Sequence, residues 1–280
     1  MPIEKMCNVL DVSTSGYYNW NNRKVSRRKL ENEKIKEIII NSYKEAQGMI
    51  GLDKLWADVK ETYPKCSRKR VYSIQKKNKL YSVRKKPFRV GITDSNHELT
   101  KAPNLLDQKF DVAAPFAVWV TDITQFETQK GKAYLATVKD IFHKEIVGWA
   151  VATHMRTELC LEALRIAVRK HRPPKGLIHH SDQGVQYCSN VYIKELESFG
   201  MIRSMSRKGN CWDNACAETF FSTIKSERIH HKTYENIEKA KQDIFWYIEC
   251  FYNRQRRHSA IEYMTPETYL NQYYRKQKAA

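Results

Sequence analysis

Apolar residues repeat with two different periods along the chain. Over the first eighty or so residues they recur every three or four positions, the spacing of amphipathic helices. Ile3, Met6, Val9 and Leu10 open a short helical segment that ends at Asp11. Ser13 to Gly16 then form a turn or cap before Tyr17, Tyr18 and Trp20. Residues 26–47 predict a long helix with Leu30, Ile35, Ile38 and Ile39 inward and Arg, Lys and Glu outward. Beyond Gly51, Leu52, Leu55, Trp56 and Val59 fall at i, i+3, i+4 and i+7, and Pro64 ends that helix. Ser67 caps a third helix, SRKRVYSIQKKNKL, with Val71 and Ile74 inward.

Past residue 115 the pattern turns to runs of β-branched and aromatic residues. Residues 117–126 (AVWVTDITQF) predict a strand, Lys130-Gly131-Lys132 a turn, and 133–141 and 145–153 two more strands of an antiparallel meander. A helix over 156–170 ends before Pro173-Pro174. A strand over 177–180, a helix over 189–199 and a short strand over 202–205 follow. The next helix starts near Asp213 or Asn214, with Ala217, Phe220, Phe221 and Ile224 as its apolar stripe. A last helix over roughly 235–253 buries Ile237, Ala240, Ile244, Tyr247, Ile248 and Phe251. This order predicts an α/β fold: an RNase H-like core, a mixed five-stranded sheet with flanking helices, preceded by an all-α domain of helix-turn-helix type.

Charge divides the chain in the same place. Of 49 Lys and Arg and 31 Asp and Glu, residues 1–93 hold 22 and 9, and the remainder 27 and 22. The helical part thus carries +13 and the rest +5, which suggests an arm that meets a polyanion, against the plain alternative of a solvated basic surface. Two short helices around a tight turn, the second basic, fit a helix-turn-helix whose second helix enters the major groove. Arg68, Lys69, Arg70, Lys76, Lys77 and Lys79 line it, and Lys85 and Lys86 follow in a basic, proline-punctuated linker. Four parts are expected: 1–25, a partial helix-turn-helix or a frayed end packing its aromatics on a partner; 26–82, a helical DNA-binding domain; 83–114, the linker; and 115–280, the core. Seven scattered cysteines without a CxxC pair point to free thiols in a reducing cytoplasm. No apolar run reaches the roughly 20 residues of a membrane span.

Three acidic residues carry the candidate chemistry. Asp122 interrupts the first core strand, where a carboxylate is costly without a partner. Asp182 stands at the exit of the 177–180 strand, before Gly184. Glu218 lies on the helix that follows. Oxygen ligands of this kind suit Mg²⁺, with Mn²⁺ as the alternative. Two ions roughly 3.5–4 Å apart set up in-line phosphoryl displacement. Taken singly, each acid reads as a paired strand-edge, turn or surface residue. Asp140, on the second strand, is expected outside the site. Of the adjacent His179 and His180 only one can face it, and His180 shares the phase of Asp182.

WVTDIT, HHSDQGVQY and NACAETFFSTIKSE, in this order, resemble the catalytic motifs of insertion-sequence transposases of the OrfB type, within the DDE transposase and retroviral-integrase superfamily. Thirty-five residues separate Asp182 from Glu218, the spacing of that family. Lys225, seven past Glu218, and the closing YNRQRRHSAIEYMTPETY fit its pattern too. The resemblance implies that Asp122, Asp182 and Glu218 bind two Mg²⁺ ions for DNA cleavage and strand transfer. It implies that Lys225, and by its phase His180, meet DNA. The expected partners are double-stranded element-end and target DNA, further copies of the chain, and the product of an upstream reading frame, at the nucleoid of a bacterial cytoplasm. Two rival readings remain: a catalytically silent DNA-binding regulator of transposition, and an RNase H-type nuclease.

Overall fold

The computed structural model describes residues 2–83, 99–107, 111–207 and 215–279. They form two compact units, one of residues 1–45 and 51–81, the other of residues 46–50 and 82–280.

The first unit is helical: α1 (Ile3–Val9), α2 (Thr14–Asn21), α3 (Arg27–Glu45), α4 (Leu52–Thr62) and α5 (Arg68–Lys77). Ser13 and Ser67 cap α2 and α5, each accepting from the backbone N–H three residues on, at Gly16 and Arg70. Ile35 and Ile39 of α3, Leu55 and Val59 of α4 and Val71 of α5 are buried where these three helices pack. Leu30 departs from its expected inward placement. It is 56% exposed, because the buried face of α3 begins a turn later, at Ile35. The first 25 residues form two regular helices rather than a frayed end, with Val9, Leu10 and Trp20 exposed.

The second unit is built on β1 (Val118–Thr128), β2 (Gly131–Asp140), β3 (Ile146–Ala152), β4 (Ile178–Ser181) and β5 (Ile202–Met205), in the order β3-β2-β1-β4-β5. β1, β2 and β3 are antiparallel, while β4 and β5 run parallel to β1. The parallel strands are connected through α6 (Thr157–His171) and α7 (Asn190–Ser198), as parallel pairing requires. Strand alternation sends Trp119 and Ile123 to one face, where they join Leu159, Ala163 and Leu164 of α6 and Tyr192 and Leu196 of α7. Gly148 of β3 permits that contact, since a Cβ there would stand 2.2 Å from the Ala163 carbonyl oxygen. Val118 and Val120 point to the opposite face and pack on Ala217 of α8 (Ala215–Glu227).

Two parts of this unit differ from the sequence reading. The expected final helix is α9 (Ile237–Phe245) continued by a π-helical stretch, Trp246–Tyr252. A further helix, α10 (Pro266–Ala279), packs Tyr269 and Tyr273 on Phe142. Residues 99–107, assigned to the linker, lie along the sheet: Met205 N–H donates to the Pro103 carbonyl, Leu105 N–H to Ser204 Oγ, and Leu106 is buried. No helix of the described residues is long and apolar enough to cross a membrane.

Candidate active site

The register of β1 and β4 decides what meets what. Val118, Trp119 and Val120 pair with Ile178, His179 and His180. Two residues past the last pair stand Asp122 and Asp182, in the same phase of adjacent parallel strands. The phase of Asp122 is that of Val118 and Val120, the face covered by Ala217. Glu218 follows Ala217 in the first turn of α8. The packing of two valines on one alanine thus sets the first turn of α8, with Glu218, against the face of the sheet that carries Asp122.

The acids act on one another electrostatically. The Asp122 carboxyl is held well above the usual carboxylate range, first by burial and then by the negative charges of Asp182 and Glu218. A backbone N–H from Ile123, donated to Asp122 Oδ1 at 2.8 Å, and the Lys225 amine pull the other way without prevailing. Asp182 Oδ1 accepts the Gly184 N–H at 2.9 Å. A Cβ at Gly184 would come 3.0 Å from that oxygen, a tight contact that the Asp182 carboxylate would have to shift to relieve. Lys225 is nearly buried, and burial lowers its pKa against the pull of Asp122.

The donor set suits a hard divalent cation: three carboxylates, with like charge acting on the half-buried Asp122. Among the described residues no three His, Cys, Asp or Glu side chains close on a single point as a metal cage. Mg²⁺ needs no such cage, since it is held by one or two carboxylates and completes its shell with water and phosphate oxygens.

Other expected site residues stand elsewhere. His180 is fully buried between Val120 and Ser204, with Nδ1 2.8 Å from Ser204 Oγ. Its phase is right but it has no surface for a phosphate, which corrects its assignment to DNA. His179 faces the other side, against Tyr192, and burial depresses its pKa to about 3. Asp140 lies outside the site, as expected. Its carboxylate accepts from the Phe116, Phe142 and His143 N–H groups and from Trp119 Nε1.

Lys69, Lys76 and Lys77 on α5, and Lys79 just past its end, are exposed. Arg68 is exposed and paired with Asp53. Arg70 is corrected: its guanidinium is turned onto α3, bonded to Asn32 Oδ1 at 2.7 Å and Glu31 at 2.9 Å. It braces the helices instead of facing DNA. Lys85 and Lys86, with the expected helix start at Asp213 or Asn214, lie outside the described residues. One residue escaped the sequence reading. Lys139 of β2, opposite Val120, is buried on the α8 face and donates from Nζ to the Cys216 carbonyl at 2.9 Å. Burial lowers its pKa to about 8. The signal was a lysine in a β-strand run, LATVKDI, whose own face carries Leu135 and Ile141.

The chain resembles known proteins along most of its length. Residues 112–211 and 200–266 match two models described as integrase core domain, and residues 29–88 match one described as HTH-like domain. "Insertion element IS600 uncharacterized 31 kDa protein" of Shigella sonnei is 43% identical over 269 residues, 96% of this chain and 98% of that protein. "Transposase InsF for insertion sequence IS3A" of Escherichia coli (strain K12) is 34% identical over 272 residues, 96% of this chain and 94% of that protein. Among solved structures, the HTLV-2 integrase catalytic core domain in complex with magnesium aligns with 55% of this chain and 94% of its own, at 17% identity and a TM-score of 0.43.

Proposed function

The chain belongs to the insertion-sequence transposases with an integrase core, and from that premise we propose that Asp122, Asp182 and Glu218 are the catalytic carboxylates of a DNA-cleaving and DNA-joining polynucleotidyl transferase. The observation that carries the reading is the register that sets Asp122 and Asp182 two residues past paired positions of adjacent parallel strands, with the first turn of α8 packed on the Asp122 face; burial and the charges of the other two acids accordingly push the Asp122 carboxyl up. A protein keeps such an arrangement at a cost, and the cost is offset when a cation binds.

Two Mg²⁺ ions, or Mn²⁺, held by the three carboxylates would supply the charge stabilisation of in-line phosphoryl displacement. The protein's own part is positional. Asp122 and Asp182 are fixed by the strand register and by the N–H groups of Ile123 and Gly184, and Glu218 by the packing of α8 on β1. Lys225, beside Asp122, is placed to bind a phosphate of the DNA end entering the site. No serine or tyrosine nucleophile is required, because water and then a DNA 3′-hydroxyl serve as the attacking groups. The helical unit holds DNA through α5, whose exposed lysines meet phosphates. The reading extends to several copies of the chain acting together on the element ends, and to pairing with the product of an upstream frame.

The test is incubation of the protein with Mg²⁺ and element-end DNA, scored for 3′-end cleavage and joining, beside Asp122→Asn, Asp182→Asn and Glu218→Gln. Wild-type activity in any of the three refutes the assignment. Cleavage confined to RNA–DNA hybrids favours the nuclease, and binding without cleavage favours the silent regulator.

A further inference from the structure

We propose that Lys139 is a positioning residue that ties the start of α8 to the sheet and so fixes where Glu218 stands. The proposal rests on the reading of Glu218 as a catalytic carboxylate. Three observations support it. Lys139 is only 5% exposed, yet its amine is spent on one backbone acceptor, the Cys216 carbonyl at 2.9 Å. Cys216 precedes Glu218 by two residues, in the same first turn. The register of β2 and β3 also shifts between Val138 and Lys139, from Val138↔Gly148 to Lys139↔Ile146. Bulges of this kind re-aim a side chain and concentrate beside active sites.

The placement is electrostatically unfavourable on two counts, which makes it informative. A lysine amine loses hydration on burial, and a helix N-terminus is the positive end of its dipole. An apolar side chain would fill this position at lower cost if filling it were all that mattered. What the amine adds is a directional bond across a gap that packing alone leaves free. The opposite end of α8 is tied differently. There Glu227 receives both Nε and Nη2 of Arg256 and the Tyr247 hydroxyl, each at 2.8 Å. The two ends can therefore loosen independently.

The experiment compares metal-free wild type with Lys139→Met, which has similar length and no donor. Amide hydrogen exchange is followed over α8. The expected result is protection lowered about tenfold or more at the amides of 217–221, with the amides of 224–228 unchanged. Strand transfer in Mg²⁺ should fall roughly 10- to 100-fold, the effect of small displacements of reacting groups. Lys139→Arg, which keeps a charged donor, should recover part of both. Equal protection of the first turn in wild type and Lys139→Met overturns the proposal, as does equal loss at both ends. Should Lys139→Met fail to fold, Lys139→Gln, a shorter neutral donor, decides the matter by the same exchange pattern. The exchange readout is independent of chemistry. If Glu218→Gln proves active while Lys139→Met loosens the first turn, the catalytic reading fails and the tie stands.

Discussion

Two groups of acids stand at the same sheet, one buried around Asp140 and one half-buried around Asp122, and they are treated in opposite ways. Around Asp140, every carboxylate has a countercharge or a set of donors. His143 lies between Asp140 and Glu145, at 2.9 Å from each, and Glu145 also meets Lys170 at 3.0 Å and His171 at 3.4 Å. Around Asp122, the strongest electrostatic neighbours of the carboxyl are two more acids. The first arrangement is closed, and its charges hold β2, β3 and α6 together. The second sets like charges side by side, the arrangement that the proposed function completes with a cation.

The largest effect that tests this contrast is on chemistry. Asp122→Asn, Asp182→Asn and Glu218→Gln preserve shape and remove charge. Each should lower DNA cleavage and joining by at least about a thousandfold (some 4 kcal/mol in the barrier), while gel-shift affinity for DNA stays near wild type. Asp140→Asn should leave cleavage per folded molecule largely intact. If Asp140→Asn abolished cleavage in well-folded protein, the two clusters would not differ in the way described.

Stability should move in opposite directions. His143→Ala leaves Asp140 and Glu145 buried without their shared cation, a loss on the order of 3–5 kcal/mol. At about 2–4 °C per kcal/mol for a unit of this size, the Tm should drop by roughly 10 °C. Asp122→Asn removes repulsion instead, and in metal-free buffer its Tm should rise by a few degrees. Mg²⁺ should stabilise the wild type and leave Asp122→Asn nearly unmoved. Both shifts are readable by scanning calorimetry.

Acidity separates the clusters further. Burial alone would lower the His143 pKa, but the Asp140 and Glu145 carboxylates on either side of the ring raise it to about 9. A raised histidine pKa stabilises the folded state fully below the unfolded value of about 6.5, and the contribution is lost as pH climbs through 9. Glu145, held below its ordinary value despite burial by His143 and His171, acts in the opposite range, losing its contribution as the solution turns acidic. Core stability measured by urea titration should therefore fall between about pH 7 and pH 10, by on the order of 3 kcal/mol. In His143→Ala that alkaline decline should shrink markedly.

How far such differences can be read from sequence depends on what alternation encodes. It encodes the face of the sheet on which a residue lies. The expected strand order set Asp122 beside Asp182, and the register of β1 and β4 gives the two the same phase; the family spacing proposed Glu218 as the third acid. Alternation does not encode depth. His180 shares the phase of Asp182 yet is sealed between Val120 and Ser204, because β5 covers the far edge of β4. It also cannot show which charge is already spent, as with Arg70 on Glu31 or Lys139 on Cys216. α10 went unread because its burial rests on Tyr269 and Tyr273 within a polar segment, too sparse a stripe to register as a helix.

The same contrast between spent and available charge recurs on α5, where the expected effect is the smallest. Arg70 is bonded into α3, whereas Lys76, Lys77 and Lys79 are exposed. Replacing those three lysines with alanine should flatten the slope of log affinity against log salt by up to about three units, since each neutralised phosphate contributes close to one. Between 50 and 200 mM salt such a change amounts to about 2 kcal/mol. The weakening should be similar across DNA sequences if the lysines touch only backbone. Arg70→Ala should do the reverse, lowering the Tm of the helical unit while leaving the salt slope almost unchanged. Cleavage of a short DNA end at saturating concentration should hardly change in the triple variant, because the carboxylates lie in the other unit. An unaltered slope there would show that these lysines are merely solvated, and the DNA would then have to be held by the core.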